Sequence, residues 1–226
     1  MAGRANERET RAGQAPSDRQ AKVQIKTQAR TEAQAHKRCQ DETQAQGQSQ
    51  VKIGILSDMH NDKDNLVAAL KVFAGEGIRV AICGGDVTDA GLLPLFAGLE
   101  VHLVEGNIDH DPKSLARAVD RLGNGSTFGL EYTATIEGKR IAVLHGHLVD
   151  RLIESVHSGL YDYVIHGHTH RHRDERIGST RVINPGALGG LRMENRSCAV
   201  LDLSKDQLRF IEIKGFSTLG KGKSEA

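Results

Sequence analysis

Aspartate, histidine and asparagine are side chains that hold divalent cations, and they recur in five short runs after residue 50. The runs are Asp58-Met59-His60, Gly85-Asp86-Val87-Thr88-Asp89, Gly106-Asn107-Ile108-Asp109, His145-Gly146-His147 and Gly167-His168-Thr169-His170. In an extended segment the side chains at i and i+2 point the same way, so Asp58 with His60, and His168 with His170, can each present two donors from one loop. The adjacent glycines permit tight turns and close backbone approach to an anion. Carboxylate, amide and imidazole donors without thiolate suit Mn²⁺, Fe, Zn²⁺ or Ni²⁺. Any one run has a bland reading, because Gly-Asp and Gly-Asn are ordinary turn residues and an isolated histidine is usually structural. Five in succession, each just after an apolar run, point to a single site.

Positioning them requires a particular order of elements. Apolar strands are expected at 51–56, 79–83 and 100–104, each running into one of the first three motifs. Helices are expected at 62–74, 90–97 and 111–122, the last with Asp111 and Pro112 as start signals. This alternation predicts parallel pairing with helical crossovers. Further on, strands at 132–137 and 140–144 flank Gly138-Lys139 as a hairpin. More strands are expected at 163–165, 174–177, 181–183, 199–203 and 208–213. Two facing sheets with outer helices would house both halves in one domain. Ligand sites of such sheets lie outside the carboxyl ends of strands, where all five motifs fall.

With these motifs in this order, the sequence resembles the calcineurin-like metallophosphoesterases, specifically the small bacterial and archaeal phosphodiesterase branch. Asn184-Pro185-Gly186 fits that branch too, and the resemblance spans about residues 51–215. It implies an α/β fold, a four-layer α/β/β/α sandwich with two mixed sheets, and a dinuclear metal centre with Mn²⁺ as the leading choice. One cation would be held by Asp58, His60, Asp86 and His170, and the second by Asp86, Asn107, His145 and His168, with Asp86 bridging. The implied reaction is hydrolysis of a phosphoester by metal-activated hydroxide, with Asp86 and Asn107 as catalytic groups. Asp89, Asp109 and His147 are expected to orient the ligands. Many phosphatases of the family carry histidine after the asparagine of the third motif, where it can protonate a leaving group. Ile108 stands there in this chain, so diesters and good leaving groups are favoured over alkyl monoesters. His110 or His147 could substitute, although a supporting or surface role suits either better. The family often has serine after Asn-Pro-Gly, where this chain has Ala187.

Composition narrows the alternatives. Thirty basic and 29 acidic residues give a formal charge of +1, so no global field draws the chain to nucleic acid or an anionic membrane. Eight aromatics without tryptophan supply no stacking platform for single strands, which weakens a nuclease reading. No apolar run approaches the length of a membrane span, and no signal-peptide core is evident, so a cytoplasmic location is expected. Cys39, Cys83 and Cys198 are scattered and make no disulfide framework. Residues 1–50 hold ten glutamines and no aromatic, which suggests a disordered tail. Residues 216–226 are expected to be a flexible tail. The expected partner is a small phosphoester substrate, and the oligomeric state stays open, a homodimer included. The rival reading is a protein-binding scaffold on the same fold, as in a eukaryotic trafficking relative with degraded metal positions. Arg171, His172, Arg173 and Arg176 read equally as a solvated strand or as a basic rim for an anionic substrate.

Overall fold

The first strand sets the layering. In β1 (Lys52–Leu56), Ile53 and Ile55 enter one apolar cluster while Leu56 enters another, as a period-two strand buried on both faces must. The computed structural model describes residues 51–191 and 195–214; the tails expected over 1–50 and 216–226 lie outside them.

After β1 come α1 (Lys63–Gly75), β2 (Val80–Cys83), a short 3₁₀ helix (Ala90–Phe96), β3 (Glu100–Val104), α2 (Pro112–Asp120) and β4 (Thr127–Gly129). There follow β5 (Glu131–Ile136), β6 (Lys139–Leu144), α3 (Val149–His157), β7 (Tyr163–His166), β8 (His172–Ile177), β9 (Thr180–Pro185), β10 (Ser197–Asp202) and β11 (Gln207–Glu212). One sheet has the order β11-β10-β1-β2-β3-β4 and the other β5-β6-β7-β9-β8. Both are mixed. β1 pairs parallel with β2 but antiparallel with β10, and β9 pairs parallel with β7 but antiparallel with β8.

Apolar residues of β1, β2, β3 and β10 meet Ile141, Val143, Ile165 and Ile183 of the second sheet to form the core between the sheets. On the outer face of the first sheet, Leu66, Phe73, Phe96, Leu115 and Val119 of the helices pack on Leu56, Ala81, Cys83 and Leu103. On the outer face of the second, α3 places Val156 over Leu144, Val164 and Val182. The order is therefore α/β/β/α. Gly54 is where α1 presses closest: a Cβ there would stand 2.5 Å from the Phe73 ring. Cys83 and Cys198 are free and buried among these apolar residues.

Local chemistry accounts for the helix starts. Asp62 caps α1 by accepting from Asn65 N at 3.1 Å, and Asp111 caps α2 by accepting from Ser114 N at 3.0 Å. Two elements depart from the sequence expectation. α3 is an additional helix whose N-cap, Leu148, makes no side-chain bond, and only Val156 of it is buried, so no start signal marks it. β4 adds a three-residue edge to the first sheet. The hairpin turn is also shifted: Glu137 and Gly138, at φ 50° and 72°, form it, and Lys139 already belongs to β6. A tight hairpin with both central residues at positive φ matches the twist of its strands. Among the described residues no helix is long and apolar enough to cross a membrane.

At the end remote from the motif loops, a charged network ties the two sheets together. Asp206, in the turn between β10 and β11, accepts from Tyr163 Oη at 2.8 Å and Arg181 Nη1 at 2.6 Å, and pairs with Arg176. Arg181 also holds Asp174 of β8 at 2.7 Å. The basic cluster at 171–176 is thus largely committed to the fold: Arg173 pairs with Glu175 at 2.9 Å, and His172 bonds Ser197 Oγ at 2.7 Å while stacked on Phe210. Burial alone would raise the Asp206 carboxyl, but Tyr163 and Arg181 hold it below its ordinary value. Its contribution to stability is therefore complete above the unfolded-state pKa of about 4 and is lost as pH falls through the lower folded value. Asp206→Asn is expected to lower the urea midpoint at pH 7 and to flatten its decline below about pH 4. An unchanged acid limb would show that other carboxyls carry that dependence.

Candidate metal centre

Backbone bonds draw the five loops together at the carboxyl ends of β1, β2, β3, β6 and β7. Asp58 N donates to Gly85 O at 2.9 Å, His60 N to Asp86 O at 3.0 Å, and Gly167 N to His145 O at 2.9 Å. Asp58 Oδ2 accepts from His168 N at 3.1 Å. The Asp109 carboxylate accepts from Gly106 N at 2.8 Å, Thr88 N at 2.7 Å and Asp86 N at 3.1 Å, locking the second loop to the third. Seven non-glycine residues in these loops (Asp58, His60, Asn61, Asp86, Thr88, His168 and His170) have φ between 46° and 69°. Such backbone costs energy and persists only where the surroundings overdetermine it.

Two clusters result. In one, His60 Nε2 stands 3.0 Å from His170 Nε2, which is 3.2 Å from Asp58 Oδ1. In the other, His145 Nε2 lies 3.0 Å from Asn107 Oδ1 and 3.3 Å from Asp86 Oδ2. Donor atoms of Asp58, His60 and His170 all fall within 4.8 Å of one another, and so do those of Asp58, Asp86 and His145. His168 joins neither tight trio, but its ring stands 5.1 Å from that of His145. Asp58 and His145 are buried almost completely, Asp86 and His170 nearly so, while Asn107 is exposed at the rim.

The electrostatics fit a cation. His145 Nδ1 donates to Gly84 O at 2.6 Å, so the Nε2 of a neutral ring offers a lone pair toward two oxygens. Acceptor atoms of His145, Asn107 and Asp86 converge there, an arrangement that a proton or a cation relieves. Burial lowers the His145 pKa, but the Asp86 carboxylate outweighs it and raises the net value. Burial likewise raises Asp86, yet its bond to His145 and the Ile108 amide hold it below its ordinary value. Burial, countered in part by Asp58, lowers His60; burial and neighbouring His145 lower His168. His60 and His168, held toward the neutral form beside an ionised Asp86, are in the ligand state of a divalent metal. Asp86 instead draws His145 toward its charged form until a cation takes the proton's place.

The supporting residues divide. Asp109 ties the loops as described. Asp89, expected beside it, instead accepts from Gly91 N at 2.7 Å and caps the 3₁₀ helix at the surface. His147 lies with its ring 5.4 Å from His145 and 6.3 Å from His168, its Nδ1 buried without a partner. His110 is exposed, and Ile108 contributes its amide to Asp86 Oδ1 at 3.1 Å.

Two residues that the sequence left without a role also serve the loops. Asn184, fully buried, donates to Gly167 O at 2.7 Å and Thr169 Oγ1 at 3.1 Å, bracing the turn that projects His168 and His170. The Arg196 guanidinium bonds Gly189 O at 2.6 Å and Gly190 O, fastening the loop beside His60. The Asn-Pro-Gly run marked Asn184 without its contacts; nothing in the sequence marks Arg196.

Comparison with known proteins agrees with this geometry. The calcineurin-like phosphoesterase superfamily domain matches residues 51–206, and the chain belongs to that family of metal-using phosphoester hydrolases. A phosphodiesterase of Methanocaldococcus jannaschii is 29% identical over 166 residues, covering 73% of this chain and 100% of that protein. Among solved structures, an archaeal phosphodiesterase superposes with a TM-score of 0.68 at 29% identity, over 71% of this chain and 99% of the other. The phosphoesterase Yfce of E. coli (TM-score 0.54, 20% identity, 72% and 99% covered) and zinc-bound Vps29 of Entamoeba histolytica (0.51, 16%, 72% and 99%) share the fold.

Proposed function

We propose that this protein is a phosphodiesterase with a dinuclear centre acting on a small phosphoester. Asp58, His60, Asp86 and His170 would hold one divalent cation, and Asp86, Asn107, His145 and His168 the other, with Asp86 shared. The observation that carries this reading is the pair of clusters in which nitrogen and oxygen acceptors face one another at 3.0–3.3 Å around Asp58 and Asp86. The donor set of imidazole, carboxylate and amide suits Mn²⁺, Fe, Zn²⁺ or Ni²⁺, and Mn²⁺ is the proposed ion. Bound cations would supply Lewis acidity and lower the pKa of a bound water toward about 7.

The chain's own groups do the rest. Gly84 O fixes the tautomer of His145 and so keeps Nε2 as a donor of electrons. Asn107, at the exposed rim, can meet the phosphoryl oxygens where negative charge develops. No proton donor stands at Ile108, so the leaving group must depart without one from that position. Diesters with acidic leaving groups answer that need. The free thiols of Cys83 and Cys198 accord with a reducing cytoplasmic compartment.

Purified full-length protein with Mn²⁺ is expected to hydrolyse bis(p-nitrophenyl) phosphate and to stop on chelation. It should also prefer that diester to an alkyl monoester. Turnover indifferent to chelation, or no bound divalent metal by elemental analysis, rejects the proposal.

A further inference from the structure

We propose that Asn124-Gly125 is a self-modifying site, at which Gly125 N displaces ammonia from the Asn124 amide and water opens the resulting ring to aspartate and isoaspartate. The conversion unpins the edge strand β4 from β3, and it does not depend on the phosphodiesterase reading.

The pair is the single Asn-Gly of the chain and lies in the turn just before β4. Asn124 Oδ1 accepts from Ser126 Oγ at 2.7 Å and from Ser126 N at 3.4 Å. The second contact makes an Asx turn, and the ring it closes contains both reacting atoms, Asn124 Cγ and Gly125 N. Gly125 is exposed, has no Cβ to hinder the approach, and takes a φ of 89°. Among the described residues nothing accepts a hydrogen bond from its N–H, so that proton is open to water.

The step balances with water alone. Gly125 N gives its proton to solvent and bonds to Asn124 Cγ, and the amide oxygen takes up the negative charge. Both Ser126 donors already point at that oxygen, and preorganised donors favour a developing oxyanion. The charge then returns to rebuild the carbonyl, the Cγ–Nδ2 bond breaks, and Nδ2 leaves as ammonia with a proton from water. A second water opens the cyclic imide at either carbonyl. Attack at Cγ gives aspartate, and attack at the backbone carbonyl of residue 124 gives isoaspartate.

The contacts of the amide set the consequence. Asn124 Nδ2 donates to Leu99 O at 2.9 Å, and Ser126 Oγ accepts from Val101 N at 2.9 Å. These bonds tie the turn to the two residues that flank Glu100 at the start of β3. After conversion a carboxylate oxygen faces the Leu99 carbonyl, acceptor against acceptor, and the bond is lost. The new charge also arises close to Glu100, since a Cβ on neighbouring Gly125 would stand 3.1 Å from Glu100 Oε1. Like charges at such range repel. β4 is a three-residue edge that pairs with β3 on one side, so no second strand holds it once the turn lets go.

The test follows full-length, metal-free protein in neutral buffer by peptide mass mapping, with fragmentation that tells isoaspartate from aspartate. The peptide holding Asn124 is expected to gain the mass that exchange of NH2 for OH brings, at least as fast in the folded protein as in urea. Ser126→Ala should slow the gain about tenfold, the scale of one hydrogen bond lost from a developing charge, and Ser126→Thr, which keeps the hydroxyl, should restore it. A folded rate below the urea rate, or one rate shared by all three proteins, overturns the site. Asn124→Asp supplies the carboxylate from the start and should speed hydrogen exchange at the Val101 N–H about tenfold. Unchanged exchange there overturns the unpinning of β4.

Discussion

Asp86→Ala is expected to cut hydrolysis of bis(p-nitrophenyl) phosphate about a thousandfold and to lower bound cation from two per chain to one or none. The magnitude corresponds to the several kcal/mol that a metal contributes to a phosphoryl transition state, at about 1.4 kcal/mol per factor of ten. Asp86 is singled out by its position. Its Oδ2 lies 3.3 Å from His145 Nε2, its Oδ1 takes the Ile108 amide at 3.1 Å, and its carbonyl receives the His60 amide at 3.0 Å. It thus touches residues of both proposed cation sets. Alanine removes the carboxylate and the Ile108 amide bond it accepts but leaves the bonds between backbone groups in place, so the loops should keep their course. The fold should survive, because Asp58 and Asp86 are buried like charges that repel when no cation lies between them. Circular dichroism and a thermal melt of the metal-free variant check that point, and metal content with turnover checks the rest. Wild-type turnover in this variant sinks the shared-ligand assignment.

The clustering of the candidate ligands was largely legible in the sequence because it is written in residue types that have few other reasons to follow apolar strands. Asp58, His60, Asp86, Asn107, His145, His168 and His170 each come just after such a run, and the sheets carry those ends to one edge. Short, nearly continuous apolar runs made β1 to β3 readable, and Asp111-Pro112 marked the start of α2. What escaped depends on partners remote in the chain. α3 has neither a capping side chain nor a broad buried face, so periodicity and start signals are both weak there. The arginines after His170 read equally as a solvated strand or a basic rim until the fold brings Asp206 to Arg176 and Arg181. Arg196 shows its purpose only when the 188–190 loop passes beside it.

Asp89 and Asp109 separate these two kinds of information most clearly, and they lead to the second large expected effect. Both close a motif at short spacing from a candidate ligand, and both invite a supporting role. The chain turns Asp89 outward to cap a 3₁₀ helix, while Asp109 is buried and receives three backbone N–H groups from two loops. Asp109→Ala would leave the buried amides of Asp86 and Gly106, and the part-buried amide of Thr88, without acceptors. Stranding a buried donor costs about 1–3 kcal/mol, so three together should lower unfolding stability by about 3 kcal/mol or more. The loop that carries Asp86 would also lose its tie to the loop that carries Asn107, so turnover should fall along with stability. Asp89→Ala removes only a surface cap, worth about 1 kcal/mol, and leaves those ties untouched. Denaturant midpoints and metal affinity measured on the two variants should therefore diverge: Asp109→Ala loses both, and Asp89→Ala only a little of the first. Equal losses in the two would mean that the carboxylate at 109 does not organise the loops that present Asp86 and Asn107.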